Sequence, residues 1–274
     1  MNNEILCSTG AYIGYENGYD PMLIPVYGKD ILCDAFEFMV VSTWNEKPTA
    51  IAERLCGGDM CFRTLHSDKF IGMYLSDHDR EKALELFRES LRAAVILSAE
   101  KMVLHLWGGF ASDSDIDYNI SAVGYMLEAC RREGITLCVE NVPCSAGDPI
   151  DHWRKLALSY PEVRFIFDTR FGAFADQLGQ TYGIFTDPLL APRIVHMHVS
   201  DFVGPPHDFK KLRPIPHPGG GIIDFESFFK TVAPLYGGTI TLESPSLYDG
   251  GRVDVGQLNE SLEFIRKHTA AADS

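Results

Sequence analysis

Short apolar runs alternate with longer segments of helical period along the chain. The apolar runs are 4–9 EILCST, 33–42 CDAFEFMVVS, 60–66 MCFRTLH, 101–107 KMVLHLW, 135–141 ITLCVEN, 164–169 RFIFDT, 193–200 RIVHMHVS and 238–243 GTITLE. Their length and content predict eight buried strands. Between two pairs of them, Leu84, Phe87, Leu91, Ala94, Val95 and Ser98 recur at spacings of three and four, as do Ile116, Ile120, Val123, Leu127 and Cys130. A stripe with that spacing covers one face of a helix, so helices are predicted over 79–99 and 113–133. Further helices are expected near 46–57, 148–159, 225–235 and 254–267. Strand–helix alternation implies parallel strands joined by crossover helices. Eight such units in one unbroken stretch predict an α/β fold, a single (β/α)8 barrel spanning residues 1–274. The rival is a doubly wound open sheet, but STGAYIGYENG after the first strand lacks its Gly-rich phosphate turn.

One connection stands apart. Residues 202–223, FVGPPHDFKKLRPIPHPGGGII, are rich in Pro and Gly and follow the seventh strand. In a barrel, the segments after the strands build the catalytic face, and a loop this long is more often functional than decorative. It is expected to have few internal contacts and to act as a mobile flap. The last six residues, TAAADS, are expected to fray.

Composition narrows the class. Of 274 residues, 46% are hydrophobic and 23% charged, a globular balance, and the formal net charge is −14. That charge argues against a nucleic-acid surface, which needs a basic face. The N-terminal MNNEILCSTG has neither a basic nor a long apolar stretch, so no signal peptide is expected. No run reaches the ~18 apolar residues of a membrane span. The seven cysteines form no CxxC pair, and Cys7, Cys33 and Cys138 sit in apolar runs. They are expected to be reduced thiols of a cytoplasmic protein.

The chemistry lies late in the strands. His66, His105, Glu140, Asp168, His198 and Glu243 all fall near the C-terminal ends of predicted strands. Successive strand side chains point to opposite faces. Glu140 therefore shares a face with Thr136 and Cys138, Glu243 with Thr239 and Thr241, and His198 with His196. The aliphatic residues between them would face the helices, which turns the polar set toward the barrel axis. Taken singly, each acid reads as a solvated loop residue or a helix cap, and each histidine as a packing residue. Together at one mouth, three carboxylates would repel without a cation. Carboxylate oxygens with one imidazole suit Mg²⁺, Mn²⁺, Co²⁺ or Zn²⁺.

With these residues in view, the sequence resembles the xylose-isomerase-like (β/α)8 TIM barrels, a group of sugar isomerases, epimerases and AP endonucleases. The resemblance runs from about residue 4 to 267. It rests on VEN at 139–141, FDT at 167–169, HMHVSD at 196–201, PGGGIIDF at 218–225 and TLES at 241–244. It implies one divalent metal held by Glu140, Asp168, His198 and Glu243, with His198 preferred to His196. It also implies that Glu140 and Glu243 move a proton at the carbon beside a carbonyl. The endonucleases of the group hold three zinc ions. His66 and His105 match two of their histidines, but the family's DTxH reads DTRF here, with Phe171 at the histidine position.

The resemblance thus implies a metal-dependent isomerase or epimerase of a sugar, keto-acid or inositol ketone. A polyol-ketone dehydratase on the same site is the alternative, and a zinc endonuclease or a non-catalytic binding protein is less favoured. The expected partner is a small sugar-like molecule, not nucleic acid or membrane; a homo-oligomer stays open. Arg170, beside Asp168, would clamp a substrate carboxylate or phosphate, or else pair with a nearby acid. Trp107 would wall the site or serve as a core aromatic. His217, with Lys210, Lys211 and Arg213, lies in the long loop and would reach the substrate or be solvated. His78, His152 and His268 are expected on the surface.

Overall fold

The computed structural model describes residues 3–270. Its strands are β1 (Ile5–Ser8), β2 (Ala35–Met39), β3 (Phe62–His66), β4 (Lys101–Leu104), β5 (Thr136–Glu140), β6 (Arg164–Asp168), β7 (Ile194–Val199) and β8 (Thr239–Leu242). They form a closed barrel in the order β1 to β8, which excludes the open sheet. β8 lies parallel to β1, with Ile5 opposite Ile240, so no strand edge is left there to template aggregation. Each predicted strand contains one observed strand, shorter by one to five residues.

The helices are α1 (Leu23–Gly28), α2 (Pro48–Leu55), α3 (Phe70–Ser76), α4 (Arg80–Ile96), α5 (Ile116–Arg132), α6 (Pro149–Ser159), α7 (Thr169–Phe174), α8 (Thr181–Thr186), α9 (Phe225–Val232) and α10 (Val255–Ala270). Asp79, Asp115, Asp148 and Asp224 begin α4, α5, α6 and α9, each accepting a backbone N–H of the first turn. Such a cap satisfies a donor that the helix cannot, for about 1 kcal/mol. α4 turns slightly from its predicted stripe. Ala83, Phe87, Leu91, Ala94 and Leu97 are buried, whereas Val95 and Ser98 face outward. The expected frayed end is corrected in part, because α10 holds Thr269 buried; residues 271–274 lie outside the described residues.

The chain divides into two compact units, one from the N-terminus to Phe36 together with Phe167 onward, the other Glu37–Ile166. The first is packed by aromatics. Phe167 meets Phe185 edge-on at 5.5 Å and stacks on Phe228 at 6.2 Å, and Phe225 stacks on Phe229 at 5.9 Å. In the second, Trp153 of α6 stacks on Phe165 of β6 at 4.6 Å. Each such side chain contributes roughly 1.5–3 kcal/mol by burial. All seven cysteines are free thiols. Cys7, Cys130 and Cys138 are buried, Cys33 and Cys144 half-buried, and Cys56 and Cys61 exposed. Burial pushes the thiols of Cys33 and Cys130 up to about 12. No described helix is long and apolar enough to cross a membrane.

Candidate metal centre and mouth of the barrel

In the unit Glu37–Ile166, Glu140 ends β5 and is 1% exposed. A buried carboxylate needs compensation. Two histidines lie beside it. His105 Nε2 lies 2.6 Å from Glu140 Oε2, and His66 Nε2 lies 3.7 Å from the same oxygen. The two rings pack edge to face at 4.8 Å. His66 Nδ1 is 3.0 Å from Ser67 O, so Nδ1 carries a proton and the Nε2 side is turned to Glu140. α3 presses on this corner through Gly72, where a Cβ would stand 2.5 Å from His105 O and 2.7 Å from Trp107 O. Trp107 itself is fully buried, and its indole N–H donates to Val142 O at 3.2 Å.

The other unit carries Asp168, His198 and Glu243. Each brings a ligand atom within 4.8 Å of the other two. Asp168, last in β6, is fully buried and also caps α7, its Oδ1 accepting from Phe171 N at 2.7 Å. That cap ends the strand one residue before the predicted Thr169. His198, fully buried on β7, turns Nδ1 to Glu243 Oε1 at 3.4 Å. His196 is occupied differently: Nδ1 lies 2.5 Å from Thr239 Oγ1, and Nε2 lies 3.1 Å from Thr241 Oγ1. These contacts put His196 and the two threonines on one side of β7 and β8, as their parity requires. Two carboxylates and one imidazole so close form a donor set for a hard or borderline divalent cation.

Arg170 is 7% exposed. Its Nε donates to Ser200 Oγ at 3.4 Å and its Nη1 to Leu212 O at 3.3 Å, while its guanidinium lies 4.3 Å from the Phe171 ring centre. Of the two readings, a substrate clamp or a pair with a nearby acid, no such pair is found among the described residues. His217 is half-buried, with Nδ1 2.7 Å from Ser261 Oγ and Nε2 3.2 Å from Pro245 O and 2.9 Å from Ser246 Oγ. Burial lowers its pKa, against the opposing pull of Pro245 O and Asp254.

The long loop is tied at its ends. Asp201 accepts from the backbone N–H groups of Phe202, Gly219, Gly221 and Ile223 at 2.7–3.0 Å. Gly221 is required there, because a Cβ would lie 2.3 Å from Phe202 O. The expectation of few internal contacts is thereby corrected, although Lys210, Lys211 and Arg213 are exposed as the solvated reading requires.

His152 corrects the surface expectation. It is buried, with Nε2 2.9 Å from Asp113 Oδ2, and Trp107 packs edge-on against it at 5.2 Å. Asp113 also accepts from Ser145 N, Ala146 N and Gly147 N at 2.6–2.9 Å. These bonds outweigh desolvation and hold the Asp113 carboxyl well below the usual range. Sequence reasoning misses the Asp113 cluster; its one signal is SAGD at 145–148, a turn whose N–H groups need an acceptor. His78 is exposed and His268 half-buried.

The model of one family, described as xylose isomerase-like TIM barrel, matches residues 34–268. The chain belongs to this family. Solved structures similar to this xylose isomerase-like barrel include a D-allulose 3-epimerase from Methylomonas sp. in complex with D-allulose, at 15% identity and TM-score 0.69 over 97% of each chain. An L-ribulose 3-epimerase shares 13% identity at TM-score 0.71, covering 99% of this chain and 96% of that one. The IOLI protein, solved with a zinc atom, shares 12% identity at TM-score 0.63 over 98% and 97%. At such identities the likeness is one of fold. A search of curated proteins finds no match to the sequence.

Proposed function

We propose that Glu140, Asp168, His198 and Glu243 together hold one divalent ion, and that the protein is an isomerase or epimerase of a sugar, keto-acid or inositol ketone. The observation that carries this reading is the mutual approach of Asp168, His198 and Glu243 within 4.8 Å. Glu140 is the fourth candidate because it ends β5, which directly precedes β6, β7 and β8 in the barrel order. The donor set, three carboxylates and one imidazole, fits Mn²⁺, Mg²⁺, Co²⁺ or Zn²⁺. Once bound, the ion supplies polarisation of a carbonyl oxygen and a template for two substrate oxygens.

The glutamates do the proton chemistry. One carboxylate oxygen takes the proton from the carbon beside the carbonyl, and the other glutamate returns one. A positioned base of this kind contributes about 10²–10⁴-fold. His66 and His105 would hold Glu140 in place and line the substrate side, with Arg170, Trp107 and His217 as further candidates for substrate contact. The epimerase names of several structural neighbours support the reaction class, and the zinc in one supports the metal. A dehydratase would use the same residues to expel water. The endonuclease reading needs a histidine where Phe171 stands buried. A cytoplasmic location, a small sugar-like partner rather than nucleic acid, and a single domain complete the proposal; free thiols and the net charge of −14 support the first two.

Elemental analysis should find about one divalent ion per chain; three zinc ions would sink the reading in favour of the endonuclease. A screen of ketoses, keto-acids and inositol ketones identifies the substrate. Glu140→Gln and Glu243→Gln should each abolish its turnover while circular dichroism stays native. Wild-type turnover in either variant removes that glutamate from the proton path.

A further inference from the structure

Arg170 is a buried cation without a counter-charge. It is 7% exposed, yet no carboxylate among the described residues pairs with it. Its two hydrogen bonds go to a neutral hydroxyl and a neutral carbonyl, both longer than 3.2 Å. Among the described residues Nη2 finds no acceptor, and it is not sealed from solvent. A guanidinium in this state has lost much of its water without gaining an anion, which is costly. Structural arginines are normally settled by an acid or by several short carbonyl contacts. This one keeps donors in reserve.

Its place is equally specific. Arg170 follows Asp168 by two residues, and Nε reaches Ser200, the first residue after β7 and two positions past His198. Two residues of extended chain span about 6.6 Å, so the guanidinium lies past the end of β7, beyond the His198 level of the candidate cluster. Thr169 Oγ1 donates to Ser200 O at 2.7 Å and fixes the corner. Phe171 supports the flat face of the guanidinium. The remaining N–H fork matches the geometry of a carboxylate or phosphate.

We infer that Arg170 selects an anionic substrate, binding a carboxylate or phosphate at the end of the molecule remote from the reacting carbons. The inference rests on the metal-site reading above and adds the substrate's charge to it. Asp168 and Glu243, the acids of the candidate metal site, would repel such a group if it entered the wrong way round, so Arg170 also sets the direction of binding.

Titration calorimetry tests this with two matched pairs, D-glucuronate against D-glucose and D-ribulose 5-phosphate against D-ribulose. It is run on the full chain with and without Mn²⁺. At least one anion should bind tenfold or more tighter than its neutral parent, and whichever pair does so tells carboxylate from phosphate. Arg170→Gln should bring that ratio close to one, and 0.5 M NaCl should weaken it in the wild type. Arg170→Lys, which keeps the charge and loses the fork, should give an intermediate ratio and serves where the glutamine variant misfolds. Equal or weaker binding of both anions by the wild type overturns the inference, as does a ratio unchanged in either variant. Mn²⁺ titrated without sugar reports the metal reading separately, so the two ideas fail in different experiments.

Discussion

His217 has both ring nitrogens engaged. Pro245 O only accepts, so Nε2 must donate, and the neutral ring then takes a proton from Ser261 at Nδ1. Protonation would turn Nδ1 into a second donor and break that pattern, in line with a pKa below the ordinary 6.5. The sign follows from linkage. Below pH 6.5 the unfolded chain binds a proton that the folded chain refuses, so stability falls as pH drops from 6.5 toward the folded value. Urea titrations from pH 7.5 to 5 should show this loss in the wild type and a shallower one in His217→Gln. Equal slopes would mean that the ring charges without penalty. At this scale the sequence was partly legible. Parity on β7 and β8 separated His198 from the aliphatic residues beside it, because a strand has a period of two. Nothing local marked His152 as buried. Its partner Asp113 lies 39 positions away, and that pairing exists only once the chain has folded.

Elements were legible where they were long. α4 and α5 show their stripes because 17 residues give several turns of evidence. α3, α7 and α8 span six or seven residues, too few for periodicity, and were not expected from the sequence. α7 begins at Thr169, inside the predicted strand, because Asp168 caps it. The long loop was read correctly as irregular but not as tied down. Composition reveals Pro and Gly; it does not reveal that Asp201 gathers four backbone N–H groups. Brief trypsin digestion should therefore cut after exposed Lys210 or Lys211, not after Arg213, which Pro214 follows, and spare the flanks. Gly221→Ala drives a Cβ into Phe202 O and Asp201 Oδ1 and should extend cleavage by other proteases into 216–223. A digestion map identical to the wild type would show that the backbone there yields without loss.

For the molecule as a whole, a ligand that binds only the folded state stabilises it by RT ln(1 + [L]/Kd), about 2.7 kcal/mol at a hundred times Kd. Mn²⁺ at that excess should raise Tm by several degrees, and Asp168→Asn should remove most of the rise. An unchanged Tm in the wild type would speak against a resident ion. The cysteines offer a second view of the same equilibrium. Only the thiolate reacts with disulfide reagents. With a pKa of about 12, Cys33 and Cys130 carry roughly one thiolate in 10⁵ at pH 7. Cys56 and Cys61, both exposed, colour first. The remaining five thiols then keep time: each delayed absorbance step records an opening of the fold, and slowing of those steps by Mn²⁺ would register the ion with no substrate in hand.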